Sequence, residues 1–127
     1  MMNFLKQRFI KPSKNAYAVV TGAGSGIGRS FALELGKRGG AVVCADVNLK
    51  AAEETVALLN AQGAKGFAVH CDVGDAKQVA ALAEKSAALL GHPVTLVVNN
   101  AGVGLGGMFD ELSLEDWQWC MHVNLWG

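Results

Sequence analysis

The chain has 127 residues, 51% of them hydrophobic, and its 11 basic and 11 acidic side chains cancel to zero net charge. That length supports one domain with a sizeable core, and the neutral balance argues against nucleic acid or an acidic surface as a partner. No apolar run approaches the roughly 20 residues of a spanning helix, so no membrane span is expected. Cys44, Cys71 and Cys120 form no Cys-x-x-Cys pair and fall in apolar patterns, which reads as reduced, buried thiols in a cytoplasmic protein.

The first 15 residues carry Lys6, Arg8, Lys11 and Lys14 with no acid, interleaved with Phe4, Leu5, Phe9 and Ile10. Pro12 keeps this stretch short of a typical interfacial helix, so it reads as a basic extension whose apolar residues pack on a domain spanning residues 16–127, the alternative being a short membrane-surface or targeting helix. Residues 16–20 are apolar on both faces, as a parallel strand buried under helices must be. A glycine-rich turn follows, after which Ile27, Phe31 and Leu35 keep helical spacing until Gly39 and Gly40. Residues 41–45 read as a second buried strand, and Leu49, Ala52, Val56 and Leu59 mark one face of a helix ending near Gly63. A third strand at residues 66–71, a third helix through Val79, Leu82 and Leu89, and a fourth strand at 94–98 continue the alternation. Ser113 and Asp116 make a capping-box start to a last helix carrying Trp117, Met121 and Asn124 along one side. Such alternation predicts an α/β fold, a parallel sheet with right-handed crossovers and helices on both faces.

The turn Thr21-Gly22-Ala23-Gly24-Ser25-Gly26-Ile27-Gly28 places four glycines at alternate positions where a strand gives way to a helix. Without Cβ atoms the backbone can take positive φ and admit an anion closely, while free N–H groups and the positive end of the helix dipole point at it. A dinucleotide pyrophosphate is the expected ligand. Asp46, 18 residues after Gly28, stands near the spacing at which an acid accepts hydrogen bonds from the adenosine ribose hydroxyls. It should also repel the extra phosphate of NADP, since like charges about 4 Å apart at an effective dielectric near 20 cost on the order of 4 kcal/mol. Arg29 and Lys50 are the nearest cations and leave room for NADP tolerance; NAD is the expected cofactor. S-adenosylmethionine methyltransferases use a comparable turn, but with an acid just before the glycines, where this chain has Val20 and Thr21.

Neither glycine register fits G-x-G-x-x-G, because Ile27 and Arg29 stand where the third glycine would fall; T-G-x-x-x-G-x-G does fit. Asp46, Cys71-Asp72-Val73, Asn99-Asn100-Ala101-Gly102 and Val123-Asn124-Leu125-Trp126-Gly127 then follow in order. With these motifs the chain resembles the short-chain dehydrogenase/reductase family, whose nucleotide half it covers almost from end to end. The resemblance implies a Rossmann-like sheet of strand order 3-2-1-4 that continues through later strands. It implies a cofactor site at Gly22, Gly24, Ser25, Gly26, Ile27, Gly28 and Asp46. Asp72 would hydrogen-bond the adenine amino group, the backbone of Val73 would hold the ring, and Asn99, Ala101 and Gly102 would pass beneath the ribose. Asn124 is the one catalytic position it assigns, in a water relay to the family's lysine.

The family's serine, tyrosine and lysine cannot be assigned, since the family places them on later elements. Tyr17, the only tyrosine, lies in the first strand with Thr21 rather than lysine four residues on. His70, His92 and His122 lack metal-site spacing and read as structural or surface residues. The expectation is the cofactor-binding part of a longer, homo-oligomeric oxidoreductase acting on a small alcohol or carbonyl substrate, inactive alone. A stand-alone NAD-binding module is the alternative.

Overall fold

The structure, a computed structural model, describes residues 11–127; residues 1–10, and with them the expectation that the basic extension packs on the domain, lie outside the described residues. Strands β1 (Tyr17–Thr21), β2 (Ala41–Asp46), β3 (Lys65–His70) and β4 (Leu96–Val98) alternate with helices α1 (Gly26–Lys37), α2 (Leu49–Ala61) and α3 (Ala76–Leu90). All pairings are parallel and the strand order is β3-β2-β1-β4, as the resemblance implied. Helix α4 (Leu114–Met121) follows β4 and runs into a π-helical turn, His122–Trp126.

Burial of the central strands follows their two-residue period. Ala18, Val20, Val42 and Cys44 pack on one face with Ala32 and Leu35 of α1 and Ala52 and Leu59 of α2. Val19, Val43, Ala45 and Val69 pack on the other face with Leu82 of α3. Both faces of β1 and β2 are therefore apolar, and neither strand reads as an amphipathic alternation.

The elements occur where the spacing placed them, but α1 buries a different stripe. Ile27 is 71% exposed and Phe31 46% exposed, while Gly28, Ala32, Leu35 and Gly36 are buried. Small residues one position further round let α1 lie close to the sheet and α2; a Cβ on Gly36 would stand 2.6 Å from Leu59 Cδ2. In α2 and α3, Leu49 and Val79 are likewise exposed, and the polar Thr55 and Ser86 are fully buried. Strand β4 is shorter than residues 94–98: the Thr95 hydroxyl accepts from Tyr17 N at 3.0 Å, so a side chain opens the pairing. Cys44 and Cys71 are buried, and burial pushes the Cys44 thiol up to about 12, whereas Cys120 is only half-buried, contrary to expectation.

Candidate cofactor site

The carboxyl ends of the strands open into a cleft of about 420 Å³ at the point where the chain crosses from β1 to the two sides of the sheet. Its floor is the glycine turn. Gly22 and Gly26 take φ of 64° and 52°, a left-handed conformation that a side chain would strain. A Cβ on Gly28 would collide with the Gly22 carbonyl oxygen, so this glycine closes the turn by packing, whereas a Cβ on Gly26 would meet only open space.

Helix α1 differs from the other helices at its start. Asn48, Asp75 and Ser113 cap α2, α3 and α4 by accepting from Ala51 N, Lys77 N and Asp116 N. Ser25 makes no side-chain cap to α1, and, as in α2 and α3, no acid stands in the first turn. The N–H groups of Gly26, Ile27 and Gly28 have no acceptor within α1, and Ser25, Gly26 and Ile27 line the cleft. An anion there would complete the helix end, so the residues present fit a pyrophosphate.

Asp46 closes the cleft at the end of β2. Its Oδ2 accepts from Gly24 N at 2.8 Å and its Oδ1 from Asn48 N at 2.9 Å, which aims the carboxylate and leaves lone pairs for ribose hydroxyls. Gly24 is needed for this contact, since a Cβ there would stand 2.8 Å from Asp46 Oδ2. Asp72 and Val73 line the far end. Asp72 Oδ1 accepts from Gly74 N at 2.9 Å in an Asx turn, while the N-cap of α3 is Asp75, whose carboxyl is held below the usual range chiefly by the Gln78 side chain. Cys71 also lines the cleft, and burial, with Asp72 and Asp75, raises its thiol above the usual range.

The opposite wall is the turn after β4. Ala101 and Gly102 line the cleft, but Asn99 is exposed and borders a separate cavity of about 120 Å³ beside Thr21 and Asn124. Its neighbour Asn100 faces the cleft and donates to Thr21 O at 3.0 Å, while Thr21 Oγ1 accepts from Asn100 N and Ala101 N, both at 3.1 Å. Thr21 and Asn100 thus tie the two turns together. Neither side chain stands out by its spacing in the sequence, although a hydroxyl at a strand end and an asparagine doublet after a later strand are visible signals.

Asn124 lies in the π-helical turn and does not line the cleft. Its Oδ1 accepts from Val103 N at 2.8 Å and its Nδ2 donates to Val103 O at 2.7 Å, so the amide grips the loop that walls the cleft. His122 Nδ1 pairs with Gln118 O at 2.7 Å, and His92 stacks on Tyr17 with ring centroids 4.0 Å apart. Among the described residues no cluster of metal-ligating side chains occurs, and no helix is long and apolar enough to cross a membrane.

A doubly wound parallel sheet, with a glycine turn, an uncapped helix start and an acid at the end of the next strand, is the frame of a dinucleotide-binding protein. The profile of the short chain dehydrogenase family matches residues 16–127, and the chain belongs to that family. A probable oxidoreductase, EphD, of Mycobacterium tuberculosis is 41% identical over 108 residues, 85% of this chain and 18% of that protein. A short chain dehydrogenase/reductase from Burkholderia phymatum, solved with NAD, superposes with a TM-score of 0.85 at 42% identity, covering 92% of this chain and 41% of that one. Another from Burkholderia cenocepacia, solved with NADP, gives 0.82 at 29% identity, covering 91% and 47%. The chain spans less than half the length of these relatives. A nicotinamide dinucleotide is the cofactor class, and the methyltransferase alternative falls.

Proposed function

We propose that this chain holds NAD in preference to NADP and serves an oxidoreductase that moves a hydride between that cofactor and a small alcohol or carbonyl substrate. The observation that carries the reading is the pairing of an uncapped α1 with a carboxylate across the cleft: Ser25, Gly26 and Ile27 offer N–H groups to phosphates, and Asp46 offers only acceptors. When bound, the nicotinamide supplies or takes the hydride. This chain's residues bind and orient: the glycine turn receives the pyrophosphate, Asp46 the adenosine ribose, and Asp72 and Val73 the adenine.

Cofactor choice rests on the cations near Asp46. Arg29 is hydrogen-bonded through Nε and one terminal nitrogen to the Thr55 hydroxyl, the Gly24 and Ala51 carbonyls and Glu54, and it does not line the cleft, so it is drawn away from a 2′-phosphate. Lys50 is exposed on the first turn of α2. Asn124 remains the candidate relay residue, with one lone pair of Oδ1 beyond its bond to Val103. Homo-oligomerisation belongs to the same proposal, with Trp117, Trp119 and Trp126 exposed along α4 and the π-helical turn.

Titration of the purified protein with NADH and NADPH, followed by cofactor fluorescence, tests the reading. NADH should bind about tenfold or more tightly than NADPH, and Asp46→Asn should narrow that ratio by removing the charge. Equal affinities in the unaltered protein, or tighter NADPH, would reject the preference for NAD.

A further inference from the structure

Gly24 is held from two sides. Its N–H donates to Asp46, and its carbonyl accepts from the Arg29 guanidinium, which reaches back five residues from the first turn of α1. The same guanidinium donates through Nε to Thr55 Oγ1 at 2.9 Å and through a terminal nitrogen to Ala51 O at 3.3 Å and Glu54 Oε2 at 3.2 Å. Thr55 is fully buried and passes the chain on, donating to Ala23 O at 2.8 Å. One arginine therefore fastens two successive carbonyls of the glycine turn, Gly24 directly and Ala23 through Thr55, to helix α2.

This grip decides which way one peptide unit faces. Among the described residues no cis peptide bonds occur, and in a trans peptide the C=O and the following N–H point in opposite directions. With the Gly24 carbonyl drawn toward Arg29 and α2, the Ser25 N–H is turned away from α2, and Ser25 lines the cleft. A glycine-rich turn without such an anchor can rotate this peptide at small cost and present the carbonyl oxygen, an acceptor, to an incoming phosphate. The guanidinium's planar, multidentate donor set makes this a task for arginine rather than lysine.

We propose that Arg29 is a positioning residue for the cofactor's phosphates: by fastening the Gly24 carbonyl to Thr55 and Glu54 of α2, it keeps the Gly24–Ser25 peptide with its N–H toward the cleft. The inference rests on the reading of the cleft as a dinucleotide site and adds a residue that does not itself touch the ligand. A device of this kind acts on the phosphates and hardly on the nucleoside.

The test compares NADH with adenosine, which lacks phosphate, on the purified protein, by NADH fluorescence and by adenosine competition. Arg29→Met keeps the apolar stem and removes the donors; NADH affinity should fall about tenfold while adenosine affinity changes less than about twofold. Thr55→Val should move the same ratio in the same direction, and Thr55→Ser, which retains the hydroxyl, should restore it. If Arg29→Met does not fold, Glu54→Gln on the surface removes only the ion pair and should still weaken NADH about twofold with adenosine unchanged. Variants that weaken both ligands in proportion, or neither, overturn the proposal while the cofactor reading stands. Failure of the unaltered protein to bind NADH overturns both.

Discussion

On the β1–β2 side of the cleft Val20, Val42, Cys44 and Leu59 are completely buried and the glycine turn rests on them, whereas on the β4 side no residue of α4 or the π-helical turn is buried. The first wall is positioned by close packing of small side chains, with Gly28 and Gly36 admitting their neighbours. The second is positioned by side-chain hydrogen bonds, Thr21 and Asn100 at one end and Asn124 to Val103 at the other. A packed wall is broken by a change of volume or by an unpaired polar group forced into it, whereas a hydrogen-bonded wall is broken by losing a donor or acceptor at nearly constant shape. The two walls should therefore fail under different insults.

The largest break is expected in the packed wall. Leu59→Ala removes a side chain that bridges α2 to Gly36 and Gly66, and should cost about 2–5 kcal/mol in urea denaturation. A loss under 1 kcal/mol would show that α2 is less tightly seated than its burial implies.

The next effect sharpens the same contrast by pH. The Cys44 thiol is neutral when protonated, and burial raises its folded pKa from 9.0 to about 12. Its stabilising contribution is thus fully present below pH 9 and is lost as pH climbs toward 12, at a slope on the order of 1 kcal/mol per pH unit. Cys44→Ala should lack that additional alkaline slope when denaturation is compared between pH 8 and pH 11. Parallel slopes would contradict a sealed packed wall.

The smallest effect on stability belongs to the hydrogen-bonded wall. Thr21→Val keeps the β-branched shape but strips the acceptor of Asn100 N and Ala101 N, for about 1–2 kcal/mol. NADH affinity should fall further than this cost alone suggests, because Ala101 and Gly102 would lose their fixed place in the cleft. Unchanged affinity would mean that the β4 turn keeps its shape without Thr21.

Much of this was legible in the amino-acid order, for identifiable reasons. Short valine-rich apolar runs bounded by glycine read as buried strands, which holds for β1 and β2 but not for β4, where Val97 is exposed, and the ordered motifs from Thr21 to Asn124 implied the family and its strand order. The buried face of α1 is not the one its large apolar residues mark, because a helix pressed close to a sheet buries its smallest residues. Of the asparagine doublet it is Asn100 and not the expected Asn99 that lines the cleft, because the direction of the turn depends on pairing with Thr21, 79 residues earlier.

By itself the sequence determined the periodicities, the glycine turn and the acid 18 residues beyond it, since these depend on local backbone geometry and on residue type. Only the tertiary structure decided which helix start stays uncapped, which way the Gly24–Ser25 peptide faces, and that Arg29 is bound to α2. Arg29 holds the Gly24 carbonyl five residues back only because hydrogen bonds to residues 22 to 26 positions ahead seat it on α2, and those partners are chosen by packing and leave no periodic trace in the chain.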